Sequence, residues 1–302
     1  MFPKTKKMNE FKRYHPVANF LYFAAVIGFS MVVLNPVCLI ISFFASVCYS
    51  IILNGKKAAK FDFMFILPMI FVAALINPLF NHEGATIIGY FKNGNPLTLE
   101  SVLYGFASSV MLACVICWFS CFNKIMTSDK FVYLFGKVTP SLSLVLSMVL
   151  RFVPRFKQHL KIIYNSQKSI GFDALEGNLF QKMKKCITIM SVMVTWALEN
   201  SIETADSMRS RGYANSNRSF FSIFTFETKD KTAICCLIFL IIYFVTGLAS
   251  KSVYFYYFPK TAHIKISFYS LSVYISYFLL CFMPVIIEIK EQLKWKSIKS
   301  KI

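Results

Sequence analysis

Six apolar runs, at about 17–34, 37–53, 61–80, 101–122, 233–248 and 266–287, dictate what this chain can become. A hydrocarbon core about 30 Å thick takes a helix of about 20 apolar residues. Lipid offers no partner for an unbonded peptide group, so runs of this length read as transmembrane helices. Composition agrees: the chain is 56% hydrophobic and 17% aromatic, with a mean hydropathy of +0.56, and a soluble globule would have nowhere to put that surface. The fold class that follows is all-α, a polytopic helical membrane protein with about six spans.

The formal net charge of +19 follows the same pattern. Of the 33 Lys and Arg, 29 fall within 1–16, 54–60, 123–231 and 290–301. Lys92, Lys251, Lys260 and Lys265 are the remainder. With the amino terminus in the cytoplasm, six spans place all four basic stretches on the inner side, as the positive-inside rule requires. Topology therefore accounts for most of the charge, and a nucleic-acid partner loses its main support. The expected location is the plasma membrane, multi-pass, with both termini cytoplasmic. The expected organisation is a four-span membrane domain at 1–122, a basic cytoplasmic segment at 123–231, and a two-span domain with a basic tail at 232–302. The first apolar run is too long for a signal peptide, and no small-residue cleavage site follows it.

Known chemistries find no footing. No G-x-x-x-x-G-K-[ST] phosphate loop is present, so the chain is not expected to hydrolyse nucleotides. The nine cysteines fall mostly in apolar runs or the basic segment and outline no disulfide framework. Cys114, Cys117 and Cys121 recur along one span without His or acidic partners and read as small packing residues. His15, His82, His159 and His263 stand in separate segments, as loop or interface residues rather than ligands. We expect no catalytic residue, metal site or cofactor. The spans are almost uncharged, with Asp62, Glu100 and Glu288 only at their ends. Ion-coupled carriers bury ionisable groups where the coupling ion needs a partner. If this chain moves a solute, the energy comes from outside it. A self-sufficient secondary carrier and a membrane-embedded enzyme acting on anionic lipid are the competing classes. The first lacks buried charge and the second lacks a convergent nucleophile, acid or metal cluster.

The basic segment carries two long amphipathic helices. The first, about 141–168, turns from apolar to basic through Arg151, Arg155, Lys157 and Lys161, with a kink expected at Pro154 and a stop at Gly171. The second, about 181–210, ends at Gly212. Glu199, Glu203 and Asp206 share one of its faces, as a solvated surface or as partners for Arg209. Arg209 and Arg211 at this end have an ordinary explanation. A cation in the last turn complements the helix dipole for about 0.3–1 kcal/mol, and a following glycine is common capping.

The segments taken in order carry more. "YHPVANFLYF" leads into a first span ending at "NP"; "RFVPRFKQHLKIIYNSQKSIGFD" and "WALENSIETADSMRSRGY" follow, then the two closing spans. From about 15 to 221 the chain resembles the transmembrane T component of energy-coupling factor transporters, the family that includes the cobalt-transport permease. The most specific part is "SMRSRGY" at 207–213, close to that family's Ala-Arg-Gly signature. The resemblance implies that the two long helices are coupling helices beneath a substrate-binding membrane S component. It also implies that their ends dock on two ABC-type ATPase subunits or domains, with the lipid bilayer as the remaining partner. Carried over, one dock is Ser210-Arg211-Gly212 with Arg209 beside it, and Arg211 is the docking charge. The other is Ser169-Ile170-Gly171, where isoleucine replaces the family's arginine, so that dock is expected to be more apolar or to meet a different groove. The S component would slide on Leu144, Leu146, Val149, Met190, Met193 and Trp196, where flexible methionines suit a surface that repacks. The resemblance makes the chain a non-catalytic subunit of a micronutrient importer and leaves the substrate, vitamin or metal ion, to the S component.

Overall fold

The computed structural model describes residues 10–90, 95–136, 139–172, 178–213, 224–262 and 267–299. A 3-10 turn, Glu10–Arg13, precedes α1 (Pro16–Val32) and α2 (Pro36–Phe80). A hairpin of β1 (Ile87–Tyr90) and β2 (Pro96–Thr98) leads into α3 (Leu99–Ile125). Then come α4 (Ser128–Gly136), α5 (Pro140–Ser169), α6 (Leu179–Ser210), α7 (Thr228–Ala249) and α8 (Phe268–Lys299). The chain divides into two compact units, one made of 1–127 and 224–302, the other of 128–223.

The first unit is a bundle of apolar helices. Among the described residues, Pro36–Gly55, Leu99–Ile125, Thr228–Ala249 and Phe268–Trp295 are each long and apolar enough to cross a membrane. Pro16–Val32 and Met64–Phe80 are shorter apolar helices. The first two helices start at an X-Pro step. His15 and Asn35 take the N-cap, and their side chains accept the N–H groups of Val17 at 3.3 Å and Val37 at 3.0 Å. Proline at the first helical position has no N–H to satisfy, which makes the pair an efficient start signal.

The sequence predicts a loop at 54–60 between the second and third spans. In the structure α2 stays helical there except at Gly55, with φ 72° and ψ 169°. Glycine takes that conformation without a Cβ penalty, so one residue redirects the chain. The hairpin is a second departure from the expected pattern. It pairs antiparallel, with Ile87 opposite Thr98 and Tyr90 opposite Pro96. Glu100 fastens it: the buried carboxylate accepts the Thr86 N–H at 3.2 Å.

Tyr22 and Phe23 of α1, Tyr49 of α2 and Trp118 of α3 are fully buried together. Trp118 meets Tyr22 at 6.1 Å and Phe23 at 6.3 Å, edge to face. Its indole N–H donates to Ser42 Oγ at 3.0 Å, and Ser42 shares a 2.8 Å hydrogen bond with Ser30 of α1. Tyr22 donates to the Cys281 carbonyl of α8 at 2.9 Å. In lipid the hydrophobic effect does not drive helices together, so packing and bonds of this kind, about 0.6 kcal/mol each, hold the bundle. Small residues bring backbones close. A Cβ on Gly105 of α3 would stand 2.9 Å from the Ala74 carbonyl, and one on Gly247 of α7 would stand 2.5 Å from Val273 of α8. Cys114, Cys117 and Cys121 are buried along α3 and serve that packing.

The amino-terminal segment is tied to the last two helices. The Phe11 N–H donates to Glu288 of α8 at 3.4 Å, and the His15 N–H to Asp230 of α7 at 2.9 Å. The His15 ring also stacks on Phe226, with centroids 3.6 Å apart. His82 pairs with Asn95 at 3.0 Å, and His263 lies outside the described residues.

Candidate functional site

The second unit is built from α4, α5 and α6. α5 continues as a helix through Pro154, and α6 runs 32 residues without a break. The two meet at Trp196. The His159 ring stacks on it at 3.7 Å, and Phe156 meets it edge to face at 5.4 Å. Phe152 extends the cluster against Phe156 at 6.2 Å. An aromatic contact of this sort adds about 0.5–1.5 kcal/mol beyond area burial, so this is the joint of the helix pair.

Both helices end in the same backbone device. At the end of α5 the Phe172 N–H reaches back to the Gln167 carbonyl (2.9 Å) and the Gly171 N–H to the Lys168 carbonyl (3.0 Å). At the end of α6 the Tyr213 N–H bonds the Met208 carbonyl (3.1 Å) and the Gly212 N–H the Arg209 carbonyl (3.1 Å). Each is a Schellman motif, in which two orphan carbonyls are recovered by a residue in the left-handed region. That residue is glycine both times, with φ 88° at Gly171 and 74° at Gly212.

Superposed by these bonds, the tips match residue for residue. Lys168 corresponds to Arg209, Ser169 to Ser210, Ile170 to Arg211, Gly171 to Gly212 and Phe172 to Tyr213. Ser169 Oγ donates to the Asn165 carbonyl at 3.0 Å and Ser210 Oγ to the Ser207 carbonyl at 2.9 Å, so both serines close their own last turn. Ile170 and Arg211 hold the C-cap position with similar dihedrals, φ −90°, ψ 3° and φ −83°, ψ 6°. Ile170 is 71% exposed, and Phe172 and Tyr213 are also exposed. One tip therefore presents a bare isoleucine and a phenylalanine, the other an arginine and a tyrosine.

Among the described residues neither Arg209 nor Arg211 forms an ion pair. Glu199, Glu203 and Asp206 are exposed, a solvated face rather than partners for Arg209. The guanidinium of Arg211 is thus accessible and uncompensated. That geometry suits a two-bonded grip on a carboxylate of another molecule.

A second surface lies along the helices. Leu142, Val145, Val149 and Val153 of α5 are exposed at three- and four-residue spacing, as are Met183, Ile187, Met190, Val194 and Leu198 of α6. Each set forms one stripe. Of the residues the sequence marked for the S component, Val149 and Met190 stand on these stripes. Leu144, Leu146 and Trp196 are half-buried, Trp196 within the joint. Met193 is buried and supports the surface from beneath. The sequence reading, centred on 144–149, missed Leu142 and Val153, whose spacing was visible, because the rotation of α5 about its axis was not.

An apolar helical bundle and a basic helix pair with two capped tips define a polytopic helical membrane protein. The particular family follows from comparison: the model of the cobalt transport protein family, CbiQ, matches residues 8–220, and the chain belongs to that family. It is similar to the energy-coupling factor transporter transmembrane protein EcfT of Leuconostoc gelidum subsp. gasicomitatum, 32% identical over 112 residues, 36% of this chain and 42% of the relative. EcfT of Streptococcus equi subsp. equi is 34% identical over 100 residues, 33% of this chain and 37% of that protein. EcfT of Streptococcus thermophilus is 27% identical over 186 residues, 57% of this chain and 70% of that protein. The chain thus spans less than half the length of the first two of these relatives.

Proposed function

We propose that this chain is the transmembrane coupling subunit of an energy-coupling-factor-type importer. In this reading it has no catalytic step of its own. Two ABC-type ATPase subunits or domains close on ATP binding, carry the two tips with them, and move the α5–α6 pair beneath a substrate-binding S component. The observation that carries the reading is the matched pair of Schellman-capped tips, which a pair of related ATPases would engage in related ways. Arg211 supplies the charged grip. Ile170 and Phe172 supply an apolar one, so the two grooves differ.

Force on a tip reaches the rest of α5 and α6 because both are unbroken helices joined at Trp196. The exposed stripes then serve as the bearing surface for the S component. An apolar stripe lets a partner slide without breaking hydrogen bonds, and methionine adapts to each new register. The solute is set by the S component.

The test is affinity purification of the full chain in mild detergent with identification of what accompanies it. The reading requires polypeptides bearing phosphate-loop ATPase sequences together with a small, very apolar membrane protein. Recovery of the chain without any ATPase from cells grown under uptake conditions contradicts it.

A further inference from the structure

The first unit contains a cavity of about 600 Å³ between the start of α7, residues 283–294 of α8 and Tyr14 ahead of α1. Three lysines line it: Lys229 on α7, Lys290 and Lys294 on α8. Among the described residues none of the three forms an ion pair, and Glu291, which also lines the cavity, pairs with none of them. The rim therefore keeps a surplus of positive charge. Tyr14 adds a phenol, and the Thr232 hydroxyl donates to the Lys229 carbonyl at 2.9 Å. Burial, then the carboxylates Asp230, Glu291 and Glu10, raise the Tyr14 phenol above its ordinary pKa, so it remains an O–H donor.

The rest of the wall is different. Ala233, Met283 and Ile287 form an apolar floor. On α8, residues 283, 287, 290 and 294 follow at three- and four-residue spacing, so one helix face passes from apolar to cationic inside the cavity. The candidate spans Thr228–Ala249 and Phe268–Trp295 change from polar to apolar at this level. Farther along the same faces Leu279 and Ile275 of α8 and Phe239 of α7 are exposed. A soluble anion has no use for that floor or for the track beyond it. A lipid has use for both: phosphate on the lysines, glycerol on the floor, acyl chains along the track.

We propose that this cavity binds the headgroup of an anionic phospholipid, with its acyl chains lying along α7 and α8. The site belongs to the first unit and the helix tips to the second, so the proposal does not rest on an ATPase partner. Its occupant bridges α7, α8 and the segment ahead of α1, the elements that Asp230 and Glu288 already join through the Phe11 and His15 amides.

The experiment uses the purified full chain in mild detergent. Native mass spectrometry and thermal unfolding are recorded with phosphatidylglycerol, with phosphatidylcholine and with inorganic phosphate alone. The expected result is retention of, and stabilisation by, phosphatidylglycerol only. The triple variant Lys229→Gln, Lys290→Gln, Lys294→Gln should weaken that binding on the order of a hundredfold, roughly fivefold per lysine. Ala233→Trp, which fills the cavity from its apolar side without changing charge, should weaken it as well. Lys251→Gln with Lys260→Gln, in the loop between α7 and α8, should leave it unchanged. Equal retention of phosphatidylcholine overturns the proposal, as does an equal effect of inorganic phosphate. So does unchanged phosphatidylglycerol binding in either cavity variant, or an equal loss in the loop variant.

Discussion

The tip at 166–172 and the tip at 207–213 share a backbone and differ most in chemistry at one exposed position, the C-cap. Both use a left-handed glycine, the same two back-bonds, a serine in the last turn, a basic residue two places before the cap and an aromatic after the glycine. At the cap itself one has Ile170 and the other Arg211. Helix capping tolerates either residue, because the C-cap side chain makes none of the capping bonds. Folding therefore explains what the tips have in common but not how they differ. In the proposed function the difference belongs to what the tips meet, as two unequal grooves.

The most severe way to break the pair is to reverse the charge of the second tip. In the proposed role, Arg211→Glu reduces ATP-driven uptake by on the order of a hundredfold, since losing one partner of a buried charged pair costs about 3–5 kcal/mol. Uptake of the solute in intact cells checks it. Ile170→Arg sharpens the comparison from the other side. An arginine pressed into an apolar groove without a carboxylate should lower ATPase recovery at least tenfold, by the cost of burying an unpaired charge. Improved recovery would show instead that the first groove still accepts arginine.

Backbone substitutions should erase the contrast. Gly171→Val and Gly212→Val each force a β-branched residue into the left-handed region, at about 1–3 kcal/mol. Hydrogen exchange at the Phe172 and Tyr213 amides should quicken about equally in the two variants, because the same bond is lost. A large inequality would mean the tips are not held alike. The smallest effect is expected for Arg211→Lys. It keeps the charge but loses the second parallel hydrogen bond, and should weaken ATPase binding roughly tenfold by titration, or about 1.4 kcal/mol.

How far the sequence foretold all this varies with the physics involved. The long helices of the basic segment were legible, since periodicity and the glycine stops lie in the chain itself: 141–168 and 181–210 became Pro140–Ser169 and Leu179–Ser210. Asn35-Pro36 was read only as the end of the first apolar run and His15 only as a loop or interface residue; their N-cap bonds at the starts of α1 and α2 come from the structure. The break between the second and third spans falls inside the expected 54–60 stretch, but it is confined to Gly55 and the rest of "NGKKAAK" is helical rather than a loop. The hairpin and α4 gave no sequence signal strong enough to be noticed. At the tips, Gly171 and Gly212 marked the stops and the resemblance already set Ile170 opposite Arg211; the shared C-cap dihedrals and back-bonds are what the structure adds. Along α5 and α6, the apolar halves were recognised while the exposed stripe was not, which is why Met193 was marked for a partner and is buried.

The central claim is that the α6 tip is a plug for an external ATPase, and the recovery of ATPase with this chain tests it most directly. The ATPase-to-chain ratio should be measured after purification of the wild type and of Arg211→Glu in the same mild detergent. Helix content by circular dichroism would confirm that both are folded. The account predicts that the variant inserts and folds normally but loses most of its ATPase. An unchanged ratio in a folded Arg211→Glu protein would contradict it.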